Sequence, residues 1–216
     1  MNSVLCYGDS NTWGAATEPR PDGRYEHDER WPGIMRGALG PGWLVMEEGL
    51  SGRTTVHPDP IEGVWLAGSS YLLPCLKTHK PLDAVVVMLG TNDLKARFSV
   101  PAGDIAASVG KLLAIIAAAE AGRDGGVPAM LLVCPPPILD RYGTRPDFVG
   151  MFAGGYEKSL QLPPLYAAVA AQYGAAFLDA GQVIGSSAFD GIHFDPDAHA
   201  ALGRAVAEAV SALFPG

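Results

Sequence analysis

The chain has 216 residues, of which 48% are hydrophobic and 18% charged, and its formal net charge is -8. This length and composition predict a single domain, residues 1–216, with a full hydrophobic core, and they exclude a disordered chain. The negative charge argues against nucleic acid and anionic membrane surfaces as partners, because both bind to basic patches.

The three cysteines, Cys6, Cys75 and Cys134, include no CxxC pair. Cys6 and Cys134 lie in apolar, strand-like runs, where cysteine usually packs as a small hydrophobic residue. This usage favours a reducing compartment. The chain also starts without a signal-peptide pattern, and no apolar run is long enough to span a bilayer. We therefore expect a cytoplasmic protein.

Short apolar runs alternate with helical patterns along the chain. The runs predict five strands, at Val4–Tyr7, Trp43–Glu47, Ala84–Leu89, Ala129–Cys134 and Ala175–Asp179. Their nearly continuous apolar character is typical of strands buried on both faces. Strands that alternate with helices predict an α/β fold, with a parallel sheet covered on both sides.

The helical patterns fall between and after these strands. Helices are predicted at Trp31–Leu39, within Ser69–Lys80, within Ala102–Gly122 and from Pro196 onward, after the N-cap residue Asp195. Pro74 predicts a kink or a start in the second of them. The segment Pro135–Gly155 is rich in proline and glycine and predicts a long surface loop, a place where functional residues often lie.

Four short polar motifs follow the predicted strands. Gly8-Asp9-Ser10 follows the first strand, a segment with Gly52 the second, Gly90–Asp93 the third, and Asp190–His193 comes shortly after the fifth. Because ligands of open parallel sheets bind at the carboxyl ends of the strands, we expect these motifs to meet at one edge.

The motifs together contain the groups that serine catalysis needs. Ser10 is a candidate nucleophile, His193 the base that takes its proton, and Asp190 the acid that orients the imidazole. The backbone N–H groups of Ser10 and Gly52 and the side-chain amide of Asn92 are candidate donors to an oxyanion.

Each motif alone has an ordinary structural alternative as a turn or a loop, and the argument depends on their joint occurrence. We expect Asp9 and Asp93 to brace loops through backbone N–H groups, and Lys95 to be a surface lysine. The polar residues around the last motif match no strong zinc spacing, so no metal is expected at His193, Asp195, Asp197 and His199.

Aromatic residues near the motifs are candidates for substrate contacts. Trp13 and Phe194 are placed to wall an acyl or alcohol pocket. Trp65, Tyr71 and Phe152 are candidates for its entrance, and the alternative is that they belong to the core or to a subunit interface.

The residues Ser10, Gly52, Asn92 and His193, with Asp190 three positions before the histidine, resemble the defining residues of the SGNH (GDSL-type) hydrolases. The segments EEGLSGRTT, MLGTND and FDGIHF resemble the arylesterase/acyltransferase branch of that family. Two departures are Asn11, where many relatives have leucine, and Gly52, where some members of the branch have alanine.

This resemblance implies a flavodoxin-like three-layer α/β/α fold with a five-stranded parallel sheet. It implies hydrolysis of short-chain esters of aryl or alkyl alcohols, with acyl transfer to alcohols or peroxide, and a homo-oligomer, often an octamer. Water or an alcohol would resolve the acyl-enzyme, and no cofactor is expected. Two alternatives stay open: a carbohydrate acetyl esterase with the same residues, and a non-enzymatic flavodoxin-like module that holds an anion.

Overall fold

The computed structural model of the chain describes residues 1–215. Its centre is a five-stranded, wholly parallel sheet. The strands are β1 (Asn2–Gly8), β2 (Trp43–Gly49), β3 (Ala84–Met88), β4 (Ala129–Cys134) and β5 (Ala176–Asp179), in the spatial order β2-β1-β3-β4-β5. The predicted α/β class and all five predicted strands are confirmed.

Eight α-helices accompany the sheet within the described residues. They are α1 (Ser10–Trp13), α2 (Trp31–Leu39), α3 (Gly68–His79), α4 (Ala102–Ala118), α5 (Pro146–Met151), α6 (Gly155–Ser159), α7 (Leu162–Tyr173) and α8 (Pro196–Ala212). Short 3-10 turns lie at Val64–Leu66, Asn92–Leu94, Ala96–Phe98, Arg123–Gly125 and Ala180–Gln182.

Each face of the sheet carries its own hydrophobic core, because successive strand residues point to opposite faces. Leu5 and Tyr7 of β1 belong to a core that also contains buried residues of α3, α4 and α7. Val4 and Cys6 belong to a second core, with buried residues of α2 and α8. The result is a three-layer α/β/α arrangement.

The order of the strands determines where a site can form. β1 lies between β2 and β3, so the chain runs from β1 to β2 on one side of it and then crosses to β3 on the other side. Such a reversal of strand order opens a crevice at the carboxyl ends of the strands. The loops after β1, β2 and β3 border this crevice.

The helices differ from the sequence prediction in three places. α3 begins at Gly68 and continues through Pro74, so the predicted start at Pro74 is wrong, whereas the alternative of a kink stays a prediction. The predicted loop Pro135–Gly155 contains the short helix α5. The sequence patterns also missed α7, which begins at Leu162 directly before two prolines.

The N-terminus of α8 follows the prediction in position only. Asp195 is the N-cap residue, and Pro196 starts the helix. The Asp195 carboxylate, however, accepts hydrogen bonds from the hydroxyl groups of Thr17, at 2.6 Å, and Ser187, at 2.7 Å. It therefore ties the start of α8 to two loops.

Among residues 1–215, no helix is both long and apolar enough to cross a bilayer.

Candidate active site

Ser10 is the first residue of α1, at the end of β1 in the centre of the sheet. The sharp turn from strand to helix is fixed by Asp9, whose Oδ1 accepts the N–H of Asn11 at 3.0 Å. Asp9 is therefore the N-cap of α1. The Ser10 side chain is nearly buried, with 7% of the residue exposed.

His193 and Asp190 lie on the loop before α8, and the fold brings them to Ser10. The Ser10 Oγ lies 2.9 Å from His193 Nε2, although 183 positions separate the two residues. His193 Nδ1 lies 2.6 Å from Asp190 Oδ2. A carboxylate at Nδ1 keeps the proton there, so Nε2 is free to accept the proton of the serine hydroxyl.

Asp190 is held rigidly in the orientation that this chain of hydrogen bonds needs. Its Oδ1 accepts the backbone N–H groups of Ile192, at 2.9 Å, and His193, at 2.8 Å. Burial alone raises the pKa of Asp190. Three effects outweigh burial: the hydrogen bond from the His193 ring, the charge of that ring, and the two backbone N–H groups. Together they hold the pKa of Asp190 below its usual range. The carboxyl group is therefore ionised at neutral pH.

Gly52 and Asn92 reach the same cleft from the loops after β2 and β3. Gly52 has a φ of 82°, a left-handed conformation that favours glycine. Asn92 Nδ2 donates to the carbonyl oxygen of Arg53 at 3.1 Å. An amide nitrogen carries two hydrogens, so this bond orients the side chain and leaves one hydrogen for a ligand.

Arg53 is a residue that the sequence interpretation missed. It is 3% exposed, and its Nη1 donates to the carbonyl oxygens of Gly8, at 2.8 Å, and Glu48. Its guanidinium lies 4.2 Å from the centre of the Tyr7 ring. Arg53 thus connects the ends of β1 and β2 with Asn92. From the sequence alone, Arg53 is only a charged residue that follows a turn.

The two extra acids, Asp9 and Asp93, have bracing contacts. Asp93 accepts from the N–H of Thr55, at 2.9 Å, and from its hydroxyl, at 2.6 Å. It also bonds His57 Nδ1 at 2.7 Å, and this contact raises the pKa of His57. Burial raises the pKa of Asp9 to about 6, against the opposing effects of the Asn11 N–H, His193 and Arg53.

A cleft of about 370 Å³ opens in front of Ser10, and Gly52, Asn92 and His193 also line it. Lys95 lines it too, and only 2% of this residue is exposed. The expectation of a surface lysine is therefore wrong. Its Nζ lies 2.8 Å from Glu62 Oε2 and 3.5 Å from Asp59 Oδ2, so paired charges compensate its burial.

The opposite wall of the cleft is formed by the segment predicted as a loop. Phe148, Met151 and Phe152 line the cleft from α5 and its end. Arg145 is also part of this wall, with its guanidinium 3.9 Å from the centre of the Phe148 ring. Phe152 lines the cleft and is also a core residue, 2% exposed, so the predicted place near the site and its alternative in the core both apply.

The other aromatic candidates lie elsewhere. Phe194 is fully buried in the core under α8 and packs against His199, so it does not wall the cleft as predicted. Trp13 packs against the guanidinium of Arg24, 4.7 Å from its ring centre, outside the cleft lining. Trp65 and Tyr71 border a separate groove.

The polar residues around the last motif are already engaged. His193 bonds Ser10 and Asp190, as described above. Asp195 bonds Thr17 and Ser187. His199 accepts the N–H of Trp31 through Nδ1, and its burial lowers its pKa to about 3. The fourth residue, Asp197, is exposed and accepts the N–H of Ala198 at 2.9 Å.

The arrangement has the chemistry of an acyl-transfer site. It has a hydroxyl group bonded to an imidazole, an ionised carboxylate behind the imidazole, and donors in the same cleft. A fold of this type with such a site defines the class of serine hydrolases with a flavodoxin-like sheet.

Comparison with known proteins agrees with that class. The profile of the GDSL-like Lipase/Acylhydrolase family matches residues 6–201. The chain belongs to this family, and it is a carboxylic ester hydrolase, as the sequence predicted. A search of curated proteins found no match.

Several solved structures are similar over the full chain. Est24, a carbohydrate acetylesterase from Sinorhizobium meliloti, is 42% identical, with a TM-score of 0.91 over 99% of this chain and 100% of the other. The native aryl esterase of M. smegmatis is 41% identical, with a TM-score of 0.91 over the same shares. A putative arylesterase from Agrobacterium tumefaciens is 36% identical, with a TM-score of 0.86 over 99% and 100%.

Proposed function

We propose that the protein hydrolyses short-chain esters, acetyl esters above all, through an acyl-enzyme on Ser10. The observation that carries this proposal is the continuous chain of hydrogen bonds from Ser10 Oγ through His193 to Asp190, at 2.9 and 2.6 Å. The modest cleft of about 370 Å³ suits a small acyl group.

The reaction has two halves. Ser10 Oγ attacks the ester carbonyl carbon while His193 Nε2 takes the hydroxyl proton. The resulting oxyanion accepts hydrogen bonds from the N–H groups of Ser10 and Gly52 and from Asn92 Nδ2. The C–O bond to the alcohol then breaks, and His193 gives its proton to the leaving oxygen. Water, deprotonated by His193, releases the acid and restores Ser10.

Ser10→Ala tests the nucleophile. We expect kcat for p-nitrophenyl acetate to fall by on the order of 10⁴-fold or more, because no covalent intermediate can form. The matched control is Ser211→Ala, an exposed serine on α8. Its kcat should equal that of the wild type, and both variants should melt at similar temperatures. Near-normal turnover by Ser10→Ala would overturn the assignment.

A carbohydrate acetyl ester is the second candidate substrate. The rim of the cleft is charged, with Glu62, Lys95 and Arg145 all lining it, and charged side chains can bond sugar hydroxyl groups. The 42% identical Est24 carries the description of a carbohydrate acetylesterase. The test compares kcat/KM for an acetylated sugar and for p-nitrophenyl acetate. A clear preference for the sugar would favour this substrate class.

Three finer points belong to the same proposal. We propose that an alcohol can replace water as acyl acceptor, that the protein is a homo-oligomer, with the octamer of the resemblance as the expected size, and that it is cytoplasmic. The exposed apolar residues Ile61, Val64 and Trp65 support assembly. The three buried, free cysteines are consistent with a reducing compartment.

A further inference from the structure

Three potential metal ligands of different kinds converge outside the catalytic cleft. They are Glu48, Cys75 and His79, and a ligand atom from each lies within 4.8 Å of the other two. Glu48 is near the carboxyl end of the edge strand β2. Cys75 and His79 are one turn apart on α3, so their side chains share a face of that helix. His79 Nε2 already lies 2.8 Å from Glu48 Oε1.

The three groups suit one class of ion. A thiolate, an imidazole and a carboxylate are the side chains that bind Zn²⁺. Tetrahedral zinc with bonds of about 2.0 to 2.3 Å holds its ligand atoms about 3.3 to 3.7 Å apart. The three ligand atoms lie within 4.8 Å of one another and would have to approach to about 3.3 to 3.7 Å on binding. A water molecule would complete the fourth position.

Charge and access also fit a cation. The Cys75 thiol is buried and free, while the side chains of His79 and Glu48 are 27% and 21% exposed and give the ion a route from solvent. Carboxylate and thiolate together balance the two charges of the ion, and the thiol proton leaves to solvent on binding. The nearby cation Arg53 is held by the carbonyl oxygens of Gly8 and Glu48.

We propose that Glu48, Cys75 and His79 form a binding site for a divalent zinc-class metal ion, separate from the esterase chemistry. The ion would fasten α3 to the end of β2. Glu48 precedes the loop that carries Gly52, and its carbonyl oxygen holds Arg53, which in turn holds Asn92. Metal binding should therefore stabilise the native protein and raise its Tm, since a ligand that binds only the folded state does so.

The test uses the full-length, untagged protein after treatment with a chelator. Zinc chloride is titrated by calorimetry and native mass spectrometry, and cobalt chloride by absorption. We expect one zinc ion per chain, a rise in Tm, and a thiolate-to-Co(II) charge-transfer band. Cys75→Ser should abolish the band, and His79→Ala should lower zinc affinity by on the order of 100-fold or more.

The control is His27→Ala, because the exposed His27 ring also pairs with a glutamate, Glu47, at 2.9 Å. This variant should bind zinc like the wild type. If Cys75→Ser fails to fold, Glu48→Gln and His79→Ala decide the question. The proposal is overturned if the wild type binds no stoichiometric zinc, or if His79→Ala and Glu48→Gln bind it as tightly as the wild type. Ester hydrolysis is not part of this readout.

Discussion

At the scale of single residues, the three proposed oxyanion donors differ in how they are held. The Ser10 and Gly52 donors are backbone groups, whereas Asn92 uses a side chain that must be oriented. Arg53 supplies that orientation, because its carbonyl oxygen accepts one of the two amide hydrogens. The sequence predicted the donor but could not predict its support, since Arg53 becomes informative only when the ends of β1 and β2 are seen together.

Asn92→Ala tests this donor. The variant removes one hydrogen bond to the oxyanion, and we expect kcat to fall by roughly 10² to 10³-fold with a much smaller change in KM. Steady-state kinetics with p-nitrophenyl acetate gives both constants. A change confined to KM would mean that Asn92 contacts the substrate without stabilising the transition state.

Asp9 makes a second prediction at this scale, for pH and stability. Burial raises its pKa from 3.8 in the unfolded chain to about 6 in the fold. The folded protein therefore binds this proton more tightly, and the resulting stability is present below about pH 4 and lost as the pH rises through 6. Asp9→Asn keeps the oxygen that caps α1 and removes the charge.

We expect the unfolding free energies of Asp9→Asn and the wild type to be equal near pH 4. At pH 8 the variant should be more stable by on the order of 3 kcal/mol, since each pKa unit is worth about 1.4 kcal/mol. Urea unfolding at several pH values measures the difference. A difference that does not vary with pH contradicts the assigned pKa.

At the scale of elements, the contact between α2 and α8 depends on a close approach at Gly203. A Cβ there would lie 2.6 Å from Ile34 Cβ and 2.7 Å from the carbonyl oxygen of Trp31. Those distances are too short for real contacts, and one of the atoms belongs to the backbone. The glycine in α8 is therefore a packing residue despite its poor helix propensity.

Gly203→Ala and Gly37→Ala form a matched pair of variants. We expect Gly203→Ala to destabilise the protein by about 1 to 3 kcal/mol through overpacking. Gly37 lies in α2 with nothing within 4 Å of an added Cβ, so Gly37→Ala should stabilise by roughly 0.5 to 1 kcal/mol. Thermal unfolding of both variants checks the opposite signs. Two stabilising substitutions would refute the close approach.

The elements also show which parts of the fold the sequence can predict. The ends of the five strands were predicted to within a few residues, because a continuous apolar run is a local feature of the sequence. Pro74 predicted a kink or a start within α3, and α7 was not predicted, whereas burial of Leu72, Leu76 and Tyr166 favours both helices. Tertiary packing stabilises these two helices, and such packing cannot be inferred from a single sequence.

The site shows the same division. The structure brings Ser10, Gly52, Asn92, Asp190 and His193 together, and this grouping could be predicted because each follows a strand in a short motif of polar residues and glycine. Lys95 and Glu62 could not, since their pairing depends on a loop between β2 and α3 that folds over the cleft. Phe194 was misplaced because adjacency in sequence to His193 does not specify which way the side chain points.

At the scale of the whole molecule, an exposed apolar strip points to assembly. Ile61, Val64 and Trp65 are 74%, 66% and 67% exposed on one short segment. Large exposed apolar side chains in a group favour burial against another subunit. Glu62 of the same segment lines the cleft, and we propose that a subunit bound to the strip also borders the cleft entrance.

Trp65→Glu tests assembly and its effect on the reaction. We expect the mass measured by light scattering to decrease, because a buried, unpaired carboxylate opposes the interface. The ratio of alcoholysis to hydrolysis should fall as well, since a wider entrance admits water to the acyl-enzyme. A wild type that is already monomeric contradicts the first expectation, and an unchanged ratio in a monomeric variant contradicts the second.

The pairing of Ser10 with His193 joins two segments that lie 183 positions apart in the chain. A chain without the segment around His193 therefore has no imidazole beside Ser10. Two fragments divided at the exposed Arg123–Gly125 turn would separate Ser10, Gly52 and Asn92 from Asp190 and His193. The rate at which the mixed fragments hydrolyse a chromogenic ester would then measure how many of them have associated.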